Sequence, residues 1–525
     1  MPAIPAYSPL NTPLKMNLFS QEDILKIEQI TLAELGLSKM QFIDTIGLEI
    51  ADEIGAEHDS RTPVIIFAGP DDCGAYALAA ATALSSRGFS VYSFLFNIGG
   101  NRLTPECDFF RNRFINATEE KSLSEVTGMR FSMPEIDSGM IVIDGLFGSN
   151  ITGPLSRGYQ VLVTNINESG AKVIAIDSPS GLPGNPMSGL INSKIIHADI
   201  TLTPLVPKLS FFINENIELV GEWKVIGPRP SAATIRHLRS SHYLIEGHNI
   251  QRCLRPRPFD SSKKDFGSAI IFSGSYGMMG AAVLTTKAAS RSGCGKVTCH
   301  TPSCGYNIMQ ISVPDALFES DPNEKIIENI EITRNYSAVA IGPGMGTADA
   351  TIDALETFLK VASANNRPVI LDADALNCIA IRPTMLDYLP LLSILTPHAG
   401  EFDRIFGAQP SSSARLAKAI EVSKTYKVII VLKGFYSATV RPDGKVYYNS
   451  SGTPALATAG SGDVLTGLLA GLLAQGIKPE LAAISAVYIH GVAGKIAEQQ
   501  HGSYGVCAHD VADNIGRAIK TIMRH

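Results

Sequence analysis

Short apolar runs alternate with helical segments along almost the whole chain, and no other feature of the sequence restricts the fold as much. Strand, helix, strand in this rhythm builds a parallel sheet covered by helices on both faces. In the first half the runs are TPVIIFAG (62–69), FSVYSFLF (89–96), MIVIDGLFG (140–148), AKVIAIDSPSG (171–181) and ADITLTPL (198–205). An alanine-rich segment, AYALAAATALSSRG, lies between the first two, and Gly88 closes it as a helix. The second half has its own series: SAIIFSGS (268–275), AVAIGPGMG (338–346), PVILDADALN (368–377), LLSILTPHAGEF (391–402) and VIIVLKG (428–434). A hairpin with its turn at Asp443-Gly444 follows. A chain of 525 residues is too long for one core. The proline- and arginine-containing stretches IGPRPSAATIRHLRS and QRCLRPRPFDSSKKD mark the break. The reading is a first α/β domain over 16–228, a linker over 229–261 and a second α/β domain over 262–525.

Composition narrows the chemistry. Hydrophobic residues make up 45% and charged residues 18%, which suits a protein with sizeable buried cores. A net charge of -6 with no Lys/Arg-rich run argues against nucleic acid or an anionic surface as partner. The eight cysteines form no CxxC pair, so neither a zinc ribbon nor a thioredoxin-like motif is expected. The start, with four prolines in thirteen residues, does not read as a secretory signal, and no run of 18 apolar residues suggests a membrane span. A cytoplasmic protein acting on small molecules is the expectation.

Ligands of open α/β sheets bind at the carboxyl ends of the strands, and here those ends are glycine-rich: GSYGMMGA (274–281), GPGMG (342–346) and AGSGD (459–463). In TAGSGDVLTGLLAGLLAQG one carboxylate, Asp463, stands where a polar turn enters an apolar helix. Either Asp463 caps the helix, or the N–H groups of Gly460, Ser461 and Gly462 receive an anion beside which Asp463 acts as a base.

GSYGMMGAAVL, IGPGMG, LDADALN, LTPHAGEF, VLKG and TAGSGDVLTG, in this order, resemble the ADP- or ATP-dependent NAD(P)H-hydrate dehydratases of the ribokinase-like superfamily. IDGLFGSNITGPL, IDSPSGLPG and ADITLTPLVPK are similar to the NAD(P)H-hydrate epimerase domain, whose fold is Rossmann-like, with three α/β/α layers. Together they resemble a bifunctional repair family. The resemblance implies catalytic roles for Asp463 and Asp177. It places Ala281, Gly344, His398 and Asp463 in the second domain, and Gly148 and Asp177 in the first, against the hydrated dinucleotide. It assigns Lys433, Gly434, Phe435, Tyr436, Ser437, Gly460, Ser461 and Gly462 to ADP or ATP. Glu401 is a candidate for Mg²⁺ held through water. Asp372 and Asp374 either cap the next helix or, with Asn377, order the phosphate loop. His398 and Lys433 have plainer readings as a loop residue and a solvated charge. A homo-oligomer is expected from the family.

The first domain departs from its family at the loop after its first strand. Where the family reads close to GPGNNGGDG, this chain has GPDDCGAYA, from Gly69 to Ala77. Asp72 and Cys73 stand in place of two Asn, and Tyr76 in place of an Asp. The resemblance implies a potassium site in which Cys73 would join Asp144 and Ser180, yet a thiol is a soft ligand for a hard cation. Ala75 and Tyr76 are expected to add bulk where backbone approaches the pyrophosphate. A weakened epimerase and a structural remnant both fit, and Cys73→Asn with Tyr76→Asp is the expected restoring pair. A ribokinase-type small-molecule kinase with a non-catalytic first domain is the alternative for the whole chain.

Overall fold

In the first half of the chain seven strands form one sheet, in the order Leu123–Val126, Val91–Phe96, Val64–Ala68, Ile141–Gly145, Lys172–Ile176, Ile200–Pro204, Glu222–Ile226. Every neighbouring pair is parallel, as the alternation requires. The structure is a computed structural model that describes residues 16–98, 102–118, 122–128, 131–151, 153–185 and 194–524. It divides into two compact units, Asn17–Ser240 and a second that starts at Ser241.

Helices cover both faces of the first sheet. On one side Lys39–Glu57 and Asp72–Ser86 share a core with the strands. The alanines of the second helix let the first come close: a β-carbon added at Gly47 would lie 2.5 Å from Ala79 Cβ. On the other side Arg157–Glu168 buries Leu162, Val163 and Ile166. This is the expected Rossmann-like three-layer arrangement.

The second unit builds its sheet in the order His242–Ile245, Val446–Asn449, Ala438–Val440, Ile429–Leu432, Ile394–Leu395, Ile370–Leu371, Ala338–Ile341, Ser268–Phe272, Lys296–Thr301, Leu317–Ser320. The pairings are parallel except for the two made by Ala438–Val440, and its turn into Val446–Asn449 carries Gly444 at φ 81°. The helix after Asp463, Ser461–Ala474, packs on Met279–Arg291. Gly467 and Gly471 interrupt its apolar run because β-carbons there would collide with Thr285 O and Ser292 Oγ. Stretch 229–261 carries structure of its own: helix Ala232–His237 belongs to the first unit, and strand His242–Ile245 joins the second unit's sheet. No helix among the described residues is long and apolar enough to cross a membrane.

Candidate functional sites

Gly460, at φ 85°, is the residue that enters helix Ser461–Ala474, and Asp463 sits in its first turn. Asp463 is therefore not the cap, and its carboxylate accepts no hydrogen bond among the described residues. Ser461 N–H is committed to Thr458 O at 3.3 Å, so of the three N–H groups expected to face an anion only those of Gly460 and Gly462 stay open, joined by that of Asp463. Burial, then the charge of Asp372, pushes the Asp463 carboxyl up to about 7 against the opposing pull of Lys433, with Asp374 and Glu401 adding to the rise.

The other strand ends converge on the same turn. Lys433 follows strand Ile429–Leu432 and lies 2.6 Å from Asp372 Oδ1, while Asp372 Oδ2 accepts Thr466 Oγ1–H at 2.6 Å. Neither plainer reading holds here: Asp372 is buried and pairs instead of capping, and Lys433 is mostly enclosed. A β-carbon at Gly462 would stand 3.2 Å from Lys433 Nζ, so the two meet in space. Asp374 opens helix Asp374–Ile381, and its Oδ2 accepts Gly346 N–H at 2.9 Å while Oδ1 accepts Asn377 Nδ2–H at 3.0 Å. That bond orders the GPGMG loop. Ala373 before it adopts φ 48°, a strained conformation for a residue with a side chain.

Gly344 and Ala281 are neighbours. At φ 65°, a β-carbon on Gly344 would sit 2.8 Å from Ala281 Cβ, and Ser275 Oγ–H donates to Gly344 O at 2.8 Å. Gly344→Val is expected to weaken binding of the hydrated dinucleotide more than binding of ADP, by calorimetric titration of each; equal losses count against the assignment. In Lys433–Ser437, Ser437 Oγ accepts Gly434 N–H at 3.2 Å and donates to Gly434 O at 2.8 Å, making a closed turn. Phe435 is exposed, edge-on to Tyr436.

His398 caps helix Ala399–Phe406. Its Nδ1 accepts the N–H groups of Gly400 and Glu401 at 3.0 and 3.3 Å, so the ring proton sits on Nε2. Glu401 Oε2 accepts His398 N–H at 2.8 Å in return. The ring is 54% exposed, and its Nε2 lies 3.3 Å from Glu401 Oε1. Four carboxylates, Asp372, Asp374, Glu401 and Asp463, thus gather against one lysine. That excess of negative charge fits a hydrated Mg²⁺, which keeps most of its waters.

In the second domain two residues escaped sequence reading. Thr466 lies three positions beyond Asp463 in GDVLT, a spacing that puts both on one helix face. Ser461 Oγ meets Nε2 of buried His490 at 3.2 Å, and burial pushes that imidazole down to about 4, so it is neutral. Nothing in the sequence around His490 signals this.

In the first domain Asp177 follows strand Lys172–Ile176 at φ 68°. Its Oδ1 lies 2.6 Å from Lys208 Nζ, and its Oδ2 accepts Ser149 N–H and Oγ–H at 2.7 and 2.6 Å. Burial favours the neutral acid, but the charge and hydrogen bond of Lys208, with two hydrogen bonds from Ser149, outweigh it and hold the carboxyl below its ordinary range. Gly148, at φ 56°, abuts it: a β-carbon there would be 2.7 Å from Asp177 Oδ2. Lys208, buried at 1% exposure and also donating to Thr203 Oγ1 at 2.7 Å, ends the quoted LVPK, yet no sequence argument gave it a role.

Asp144 and Ser180 come together as expected: Oδ1 accepts Ser180 Oγ–H at 2.6 Å and Oδ2 accepts Ser180 N–H at 2.7 Å. The third member differs. Cys73 Sγ donates to Ile176 O at 3.4 Å, and burial pushes the thiol well above its ordinary range, so it is a protonated donor. Asp144 is itself pushed up to about 6 by burial. A protonated thiol beside a carboxyl already engaged by Ser180 and by Leu146 N–H does not fit a hard alkali cation.

Ala75 and Tyr76 do not crowd a ligand. The helix begins at Asp72, so both lie on its core side, and Tyr76 meets Phe42 edge-on with ring centroids 6.4 Å apart. Asp71 caps that helix by accepting Cys73 N–H at 3.2 Å, and Asp72 pairs with Lys39 at 3.0 Å. Tyr76→Asp would bury a carboxylate among Glu28, Asp72 and Asp177, whose charges already oppose ionisation of Tyr76. It is therefore expected to lower the first domain's denaturation midpoint, not to restore activity.

The family described as NAD(P)H-hydrate dehydratase matches residues 269–517, and the one described as YjeF-related protein N-terminus matches residues 36–210. The chain is 32% identical over 390 residues to the bifunctional NAD(P)H-hydrate repair enzyme Nnr of Synechocystis sp., spanning 71% of this chain and 72% of that one. It is 29% identical over 473 residues to the Nnr of Thermofilum pendens, spanning 87% of each. Among solved structures, the ADP/ATP-dependent NAD(P)H-hydrate dehydratase of Bacillus subtilis, co-crystallized with ATP/Mg²⁺, is 31% identical with a TM-score of 0.47, over 53% of this chain and 97% of that one. A parallel α/β domain with a Gly-turn carboxylate thus follows a Rossmann-like domain. The chain belongs to the family of bifunctional NAD(P)H-hydrate repair enzymes.

Proposed function

We propose that the second domain dehydrates the hydrated nicotinamide ring of S-NAD(P)HX at the expense of ADP or ATP, with Asp463 as the base. The observation that carries this is an unpaired, half-buried carboxylate, pushed up to about 7 by burial, beside open N–H groups at a helix start. Asp463 takes the proton of the ring hydroxyl as that oxygen attacks the terminal phosphorus, and the bond to the nucleotide's bridging oxygen breaks. Phosphate then leaves the ring carbon far more readily than hydroxide would, the neighbouring ring carbon gives up a proton to solvent, and the double bond returns. The open N–H groups of Gly460 and Gly462, with Lys433, hold the transferring phosphoryl group. Ala281, Gly344 and His398 hold the dinucleotide, and Lys433–Ser437 the adenine nucleotide. Mg²⁺ entering with the nucleotide would be held through water by Glu401 and Asp374, and would supply neutralisation of phosphate charge.

Incubating the full chain with pure S hydrate and either ADP or ATP tests this by the return of NADH absorbance with free phosphate. A stable phosphorylated product instead would mean a kinase, a reading that relatives spanning both domains do not favour. Because Asp463 must be ionised to act, kcat/KM is expected to rise with pH through about 7, falling roughly tenfold per unit on the acid side. A flat profile between pH 5.5 and 8 would remove Asp463 from the role of base.

For the first domain we propose slow, potassium-independent epimerisation of R to S hydrate, with Asp177, held ionised by Lys208, as its acid/base carboxylate. Pure R hydrate with ADP is expected to be consumed faster by the wild type than by Asp177→Ala, with or without added potassium. Coinciding rates would make the domain a structural remnant. The protein is proposed to be a cytoplasmic homo-oligomer, which sedimentation of the purified chain checks.

A further inference from the structure

We infer that His501, Cys507, His509 and Asp510 form a binding site for a borderline-soft divalent transition ion of the Zn²⁺ type, separate from both sites above. His501 is the last residue of helix Pro479–His501, and His509 and Asp510 lie in the first turn of helix Ala508–Arg524. The turn between them supplies Cys507, whose N–H donates to Asp510 Oδ2 at 2.9 Å.

The donor atoms converge from both helices. His501 Nε2 and His509 Nε2 lie 3.5 and 3.3 Å from the same Asp510 Oδ1. These are long for hydrogen bonds. They match the edge of a tetrahedron with metal–nitrogen and metal–oxygen bonds of about 2.1 Å, which is about 3.4 Å. The ligand atoms of Cys507, His509 and Asp510 lie within 4.8 Å of one another. Cys507 and both histidines are exposed, so small rotations can close the remaining gap.

The donor set decides the class of ion. Two imidazoles, a thiolate and a carboxylate suit zinc and its neighbours, whereas Mg²⁺ and K⁺ prefer oxygen alone. One thiolate and one carboxylate neutralise a divalent charge, and both anions are favoured at the start of a helix. The bound ion would staple the ends of two helices. Its position gives the staple a route to the phosphate turn: a β-carbon added at Gly460 would lie 3.2 Å from Ala508 Cβ, the residue beside Cys507.

Titration of the reduced full chain with Co²⁺ alone reads the site, since a thiolate ligand gives a charge-transfer band and tetrahedral geometry gives intense visible bands. Wild type is expected to show both at one equivalent, and Zn²⁺ to displace them. Cys507→Ser should abolish the charge-transfer band and weaken Zn²⁺ binding by more than about tenfold, a loss no smaller than outer-ligand changes cause. His509→Ala should weaken binding similarly, while Cys304→Ser should change nothing. Absence of the band in wild type, its survival in Cys507→Ser, or weak binding indifferent to these substitutions would overturn the proposal.

Discussion

Asp463→Asn is expected to slow dehydration of the S hydrate by about 10²- to 10⁴-fold, the usual cost of losing a general base. The same substitution is expected to stabilise the second domain at pH 8. Burial and neighbouring carboxylates raise the Asp463 carboxyl from an unfolded value near 3.8 to about 7 in the fold. Between those values the folded state binds more protons than the unfolded state, so stability falls as pH rises through this window and the penalty is complete above 7. Asn carries no such penalty. The variant should unfold at higher denaturant than wild type at pH 8, by the order of a few kcal/mol, and the gap should narrow towards pH 5.5. A helix-stabilising carboxylate predicts the opposite sign, since Asp in a first turn favours the helix. Near-normal turnover with a less stable variant would therefore return Asp463 to a structural role. A functional group held at a cost in stability is what this pairing of effects detects.

What the sequence revealed and what it concealed follow from distance along the chain. The strands of both sheets read clearly where they are apolar, as in VIIFA and IVIDG. The strands LSEV and EWKVI were not legible, because they lie at the sheet's two edges and carry polar residues in a short span. Proline and arginine around 229–261 read as a linker, but strand His242–Ile245 gains its partner from residues 446–449, which local pattern cannot supply. Asp463 was legible because three small residues precede it and an apolar helix follows. The Asp372–Lys433 and Asp372–Thr466 bonds span 61 and 94 residues, and only the folded sheet brings them together. Tyr76 was misread for a related reason: beginning a helix at Asp72 turns a loop position into a core position.

Lys208→Met tests the same physics with the opposite sign. Lys208 and Asp177 form an ion pair at 2.6 Å with the lysine at 1% exposure, and removing one partner of a buried pair typically costs about 3–5 kcal/mol. In wild type the depressed Asp177 carboxyl contributes stability that is present above its unfolded pKa and is lost as pH falls through the folded one. Without Lys208, burial acts unopposed by that charge and drives the carboxyl upward, so the variant's deficit should be greatest near pH 8 and shrink as acid neutralises Asp177. Chemical unfolding of the first domain across pH 5 to 8, followed by tryptophan fluorescence from Trp223 in strand Glu222–Ile226, reads this directly. Adding Asp177→Asn to Lys208→Met should recover most of the lost stability, since no charge is then left buried, while epimerisation is lost with the base. A single variant as stable as wild type at pH 8 would mean that water reaches Asp177 freely. The carboxylate would then owe its ionisation to solvent, and the base assigned to the first domain would lose the partner that holds it charged.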